Sequence, residues 1–321
     1  MKHFGNIRNA LAGFPGGRPA LSQGKSAPTW RSDLVTFPIL PDSLLDQLLA
    51  DDNPLLDLTT HVLPIGTQKA EMLFVARDAM VVACAEEAAR IIERAGADVS
   101  LRVDTGARLD PRTPILCAIG PAKNLLRAWK VSQNLIEVAS GIASAASAIV
   151  DAARAVRPDV SVTCTRKAVP GTKLISLKAI LAGGALPHRL GLSETILIFA
   201  EHRVLLAGHS ARELVAHVRH AAAEKKIVVE VGSVEEGMIW AEAGADVIQA
   251  EKFSPDAIKT LVAAVAGLTP RPIIAAAGGI NADNAGLYAA AGADVLVTSA
   301  PYWGKPRDVA VTITPYAGLD A

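Results

Sequence analysis

Apolar positions along the first third of the chain predict a small mixed unit. Leu40, Leu44, Leu45, Leu48 and Leu49 recur at helical spacing behind Pro41-Asp42-Ser43, a helix-start signal, so a folded unit opens near residue 38. Phe74-Val75-Ala76 and Met80 to Cys84 predict strands, Ala85 to Arg94 a helix, and Val99 to Val103 another strand. A helical pattern then runs from about Ala122 to Val156, with an interruption expected near Ser140-Gly141. Its Ala and Ser content suits close packing against another helix, within the chain or across a subunit interface.

The second half is more regular. Short β-rich runs occur at Ser161 to Thr165, Thr195 to Phe199, Ile227 to Val231, Asp246 to Ala250, Pro272 to Ala276 and Asp294 to Thr298. Helical or turn-rich stretches separate them, which predicts right-handed βαβ units and a parallel sheet of six strands able to curl into a barrel. The phrase Ala-Gly-Ala-Asp-Val begins at Ala95, Ala243 and Ala291. Gly244 and Gly292 are read as left-handed residues ending helices, with Asp246 and Asp294 opening the next strands, a structural role with no catalytic part.

Composition narrows the classes. In 321 residues, 32 acidic and 32 basic side chains balance to a formal charge of zero, so no global field draws the chain to nucleic acid or an anionic membrane. Any anion site must be a local cluster. The three cysteines, Cys84, Cys117 and Cys164, are odd in number and widely spaced, which suits core positions in a reducing, cytoplasmic setting better than a disulfide framework or metal clip. No apolar stretch is expected to reach the ~18 residues of a membrane span, Gly141 to Val150 coming nearest. Residues 1–37 are Gly- and Pro-rich and basic, and read as a flexible extension.

Local cationic clusters do exist. Thr165-Arg166-Lys167, Pro170-Gly171 and Gly183-Gly184 through His188-Arg189 gather three fixed cations and a histidine around glycine turns, a chemistry that suits phosphates and carboxylates. Arg166-Lys167, Glu230, Glu251-Lys252, Gly278-Gly279 and Ser299 all fall at or just past the C-terminal tips of expected parallel strands, where such folds bind ligands. Gly278-Gly279 ahead of a helix can cradle phosphate. Glu230 and Glu251 can hold Mg²⁺ or sugar hydroxyls, or simply pair with a cation such as Lys252.

Taken together, Asp57-Leu58-Thr59-Thr60, Ser140-Gly141-Ile142-Ala143, Thr165-Arg166-Lys167, Pro170-Gly171, Gly183-Gly184, His188-Arg189-Leu190-Gly191-Leu192 and Gly278-Gly279 resemble the quinolinate phosphoribosyltransferase family. Trp129-Lys130, Gly184 to His188 and Lys252-Phe253-Ser254-Pro255 resemble its ModD branch, associated with molybdenum-uptake loci. The resemblance covers about residues 38–315.

It implies an N-terminal open-faced α/β sandwich over 38–135, to which 302–321 can return. It also implies an incomplete α/β barrel of about six strands over 136–301, and a homodimer with a shared active site. It further implies an enzyme that transfers phosphoribose from phosphoribosyl pyrophosphate with Mg²⁺. Carried onto this chain, Arg166, Lys167, His188 and Arg189 line the acceptor pocket and Lys130 reaches in from the partner. Glu230 and Glu251 face the ribose and Mg²⁺-pyrophosphate, and Gly278, Gly279, Ser299 and Ala300 hold the 5′-phosphate. Lys167, Lys130, Glu230 and Glu251 are the catalytic candidates.

Two departures affect the acceptor: Lys130 stands where the family has Arg, and Phe199 where it has a pocket Lys. Glu251 also replaces an Asp. One pocket cation fewer leads to the expectation of an aromatic acceptor that is not a dicarboxylate. The rival readings are quinolinate itself as substrate, with decarboxylation, and a non-catalytic phosphosugar or nucleotide sensor.

Overall fold

A computed structural model describes residues 36–317. The expected N-terminal extension lies outside the described residues except for its last two positions. Residues 37–317 belong to one compact unit. Its first part contains α1 (Asp42–Asp52), α2 (Leu58–Val62), β1 (Lys69–Ala76), β2 (Met80–Val81), α3 (Ala85–Arg94), β3 (Asp98–Leu101), β4 (Arg108–Leu109) and β5 (Pro114–Pro121). The Asp57-Leu58-Thr59-Thr60 phrase is a helix start, with the Asp57 carboxylate accepting from the Thr60 amide at 3.2 Å. Antiparallel β1 and β5 form the centre of a four-stranded sheet, flanked by β3 beyond β5 and a late strand, β13 (Val309–Pro315), beyond β1. Met72, Phe74 and Ala76 alternate into the core while their neighbours are only partly covered, the period-2 signature of a sheet with one packed face.

Helix α4 (Ala122–Arg154) is continuous through 33 residues, so the interruption expected at Ser140-Gly141 does not occur. Both residues are spent on packing instead. The Ser140 hydroxyl accepts from the Ala83 amide at 3.0 Å, and a Cβ on Gly141 would stand 2.6 Å from the Lys305 carbonyl oxygen. Glycine here permits close approach of a second backbone, and the long helical runs on both sides, Ala122–Ser140 and Ile142–Arg154, carry the propensity cost of about 1 kcal/mol. The expectation about apolar length also needs correction, since an 18-residue window of α4 averages a hydropathy of 1.5 and is long and apolar enough to cross a membrane. Within the fold 67% of that window is buried by protein, as in a core helix.

After α4 come β6 (Ser161–Cys164), α5 (Lys173–Ala182), β7 (Leu186–Pro187), β8 (Ile196–Ile198), α6 (Ala200–Val204), α7 (Ala211–Ala221), β9 (Ile227–Val231), α8 (Val234–Glu242), β10 (Val247–Glu251), α9 (Pro255–Val265), β11 (Ile273–Ala277), α10 (Ala285–Ala290) and β12 (Val295–Thr298). The parallel sheet runs β7-β6-β12-β11-β10-β9-β8. The strands follow sequence order from β8 to β12, β6 closes beside β12, and the sheet stays open between β7 and β8, an incomplete barrel. Gly244 and Gly292 are left-handed, at φ +94° and +96°, as the repeated phrase predicts. Asp246 and Asp294 accept from the Ile227 and Ile274 amides of the adjacent strands at 2.8 and 2.9 Å, which fixes strand register at the N-terminal end of the barrel.

Candidate active site

The C-terminal tips of β6, β7, β9, β10, β11 and β12 carry the polar residues. Beyond β6, a cavity of about 260 Å³ is lined by Thr165, Arg166, Pro170, Gly171, Arg189 and Tyr302, among others. Its back wall is fixed where the Tyr302 hydroxyl donates to the Thr165 carbonyl at 2.8 Å. Gly171, at φ +83°, supplies a turn with open space around it. Cys164 also lines the cavity, and burial pushes its thiol up to about 12, so it offers no thiolate.

Arg189 is the decisive cation. It is only 7% exposed, and among the described residues no carboxylate lies within pairing distance. Burial, then the nearby Arg166 charge, lower its pKa. Two guanidinium groups with no counter-charge among the described residues, one of them buried, constitute a standing demand for an anion. The Phe199 ring lies 5.8 Å from the Arg189 guanidinium, a cation–π distance. Phe199 also stacks on His202, whose Nδ1 accepts from the Phe199 amide at 3.0 Å. Lys167 is exposed, with its amide donating to the Thr165 hydroxyl at 3.3 Å.

His188 is anchored through its amide to the Cys164 carbonyl at 2.8 Å. Burial and the Arg189 charge depress its imidazole pKa, against a smaller opposing effect of Gln249. Glu230, at the end of β9, is raised by burial and by the Glu251 charge, while a 2.8 Å hydrogen bond from Gln249 Nε2 works the other way. Among the described residues no cluster of three or more His, Cys, Asp or Glu is placed to hold a metal.

On the far side, Gly278 and Gly279 are both left-handed, at φ +88° and +79°. A Cβ on Gly278 would stand 2.8 Å from Lys252 Cγ and 2.9 Å from Glu251 Oε1, whereas Gly279 faces open space. Gly278 is therefore required by packing, and Gly279 leaves its backbone approachable. Lys252 itself is left-handed at φ +59°, pinned by its amide to the Ala277 carbonyl at 2.7 Å. Ser299 and Ala300 follow β12, with the Ala300 amide already donating to the Thr298 hydroxyl at 3.0 Å.

Lys130 stands apart. Its ammonium donates to Gln133 at 2.9 Å and lies 4.5 Å from the Trp129 ring, and it does not line the cavity. Two contributors were not singled out from sequence. Arg203 of α6 binds the Glu230 carbonyl and donates to Glu236 at 2.7 Å, clamping the end of β9. Gln249, 4% exposed on β10, was hidden within an apolar run, and only its register opposite Glu230 gives it away.

Comparison with known proteins follows this division of the chain. The model for the quinolinate phosphoribosyl transferase N-terminal domain matches residues 57–140, and that for the C-terminal domain matches residues 142–311. The chain belongs to the quinolinate phosphoribosyltransferase family. It is 47% identical to "Putative pyrophosphorylase ModD" of Rhodobacter capsulatus over 77% of its length and 95% of that protein. It is 31% identical to the human "Nicotinate-nucleotide pyrophosphorylase (carboxylating)" over 82% of its length and 88% of that protein. The crystal structure of NadC from Streptococcus pyogenes has the same fold, with a TM-score of 0.80 at 24% identity over 88% of this chain and all of that one.

These findings correct the expectation of an acceptor that is not a dicarboxylate, because both family models and the carboxylating relatives weigh toward quinolinate. The physical reason is visible in the pocket. Counting the cation missing at Phe199 overlooked that Arg166 and Arg189 both lack a carboxylate partner among the described residues and that Phe199 packs beside Arg189.

Proposed function

We propose that this protein is a carboxylating nicotinate-nucleotide pyrophosphorylase, joining quinolinate to the phosphoribosyl group of phosphoribosyl pyrophosphate. The observation that carries this reading is the pair Arg166 and Arg189, two guanidinium groups on one cavity with no carboxylate partner among the described residues, a match for a two-carboxylate acceptor. In this reading the pair holds the acceptor so that its ring nitrogen faces the anomeric carbon. The C–N bond forms as the bond to pyrophosphate breaks, and the oxocarbenium-like charge is met by Glu230 and Glu251. Lys167 neutralises the departing phosphate charge, and the exposed Lys252 adds to it beside Gly278 and Gly279. Glu230 and Glu251 are the candidate protein oxygens for Mg²⁺, which would supply positive charge to offset the leaving pyrophosphate. The ring, now a pyridinium, takes the electron pair of the breaking C–COO⁻ bond, releases CO₂ and acquires a proton at that carbon.

The test is direct: quinolinate, phosphoribosyl pyrophosphate and Mg²⁺ should yield nicotinate mononucleotide, pyrophosphate and CO₂ in equal amounts. Absence of CO₂ and nucleotide overturns the reading. Lys130 is assigned to the partner's site in a homodimer. Mixing inactive Lys130→Ala and Arg166→Ala proteins should then restore about a quarter of wild-type activity, since half the dimers are mixed and each has one intact site. No recovery after confirmed subunit exchange removes the assignment.

A further inference from the structure

Gln249 offers a buried hydrogen-bond acceptor that no donor fills among the described residues. Its side chain points into the barrel from β10, on the same strand face as Glu251, and is 4% exposed. Nε2 donates to Glu230 Oε2 at 2.8 Å, whereas Oε1 has no hydrogen-bond partner among the described residues. The orientation is not interchangeable. An ionised carboxylate only accepts hydrogen bonds, so the amide must turn its NH₂ toward Glu230 and its oxygen away from it. A buried polar atom left without a partner is costly, and such atoms mark places where a donor arrives during function. Gln249 acts on the imidazole of His188, which also feels the charges of Arg189 and Glu194.

We propose that Gln249 is a positioning residue for the acceptor pocket: its free Oε1 receives a ring N–H of His188 and turns the other ring nitrogen toward the acceptor. Through its two ends Gln249 then links His188, on the acceptor side, to Glu230, on the ribose side. Neither end works alone, because Glu230 sets which way the amide faces. The imidazole becomes an oriented group beside Arg189, and the pocket gains a defined hydrogen-bonding site that does not depend on a lysine at position 199. This inference rests on the proposed acceptor pocket, and the two can fail separately.

The first measurement needs no substrate. Nitrogen-15 spectra of the ring of His188, assigned with a His188→Gln control, should show a single neutral tautomer in the wild-type protein and a mixture in Gln249→Leu. A tautomer mixture in the wild type, or an unchanged spectrum in the variant, overturns the proposal even if quinolinate is turned over. Kinetically, Gln249→Leu should raise KM for quinolinate about tenfold with a smaller change in kcat, the scale of one lost hydrogen bond in a charged site. An acceptor KM within twofold of wild type overturns it as well. Should Gln249→Leu fail to fold, the wild-type spectrum alone decides. Absence of turnover by wild-type protein would instead sink the proposed function and leave the spectral result standing.

Discussion

The two ends of the barrel use the same residue types with opposite accounting. At the N-terminal end every central charge is spent. Asp246 pairs with Arg219 at 3.0 Å and Lys226 at 3.3 Å, and Asp294 with Arg157 at 3.1 Å and Arg271 at 2.9 Å, while each also accepts a strand amide. At the C-terminal rim Arg166, Lys167, Arg189, Lys252 and Glu251 have no opposite charge within pairing distance among the described residues. A charge satisfied inside the fold contributes to holding it together. A charge left open, above all a buried one, has been kept for something that comes from outside.

Arg189→Met gives the largest expected effect and separates the two ends most sharply. It should reduce kcat/KM for quinolinate by about 2–5 kcal/mol, the cost of removing one member of a buried charged contact. The unfolding midpoint should hold or rise, because a lone buried cation has been replaced by an apolar side chain of similar length. A large fall in stability would show that Arg189 is structural and break the comparison.

Asp246→Ala should do the reverse. Urea denaturation should show a loss of about 1–3 kcal/mol, with kcat/KM little changed. Its pH dependence adds a second check. Burial works to raise the Asp246 pKa, but the Ile227 amide, Lys226 and Arg219 outweigh it and hold it below the ordinary 3.8. The unfolded chain therefore binds the proton more readily, so this stabilisation is present above about pH 4 and is lost as pH falls toward the lowered value. In Asp246→Ala that part of the acid dependence should vanish.

Lys252→Gly is the smallest. Glycine adopts the left-handed backbone freely, so the fold should be unaffected, while KM for phosphoribosyl pyrophosphate should rise by about 1 kcal/mol, as befits an exposed cation. An unchanged KM would place Lys252 among the solvated surface charges.

Much of this was legible in the chain, and the misses have physical causes. Strand and helix alternation from Ser161 onward is visible because strands buried on both faces are short apolar runs punctuated by glycine. The Thr165-Arg166-Lys167 and His188-Arg189 phrases are legible because cations and glycines at strand tips have few structural uses. Strands β5 and β13 were not read, since prolines at Pro114, Pro121 and Pro315 disguise their ends and β13 finds its partner more than 230 residues earlier. Phe199 misled because a missing charge is conspicuous in sequence, whereas whether the remaining charges are already paired is known only in three dimensions. Gln249 was invisible for a related reason: one amide in Val-Ile-Gln-Ala-Glu looks incidental until its vacant oxygen is seen.

Helix α4 sets a limit on how the molecule can be taken apart. The two family models meet at residues 140–142, inside that helix, where Gly141 is pressed against the Lys305 backbone and the Ser140 and Ser144 hydroxyls accept from the Ala83 and Val81 amides. The seam between the two family models is thus itself a packed joint. Cutting there would strip each fragment of half a helix and of the contacts that cover it, so neither recognised module is expected to survive as a separate product, and any recombination between relatives should exchange α4 whole.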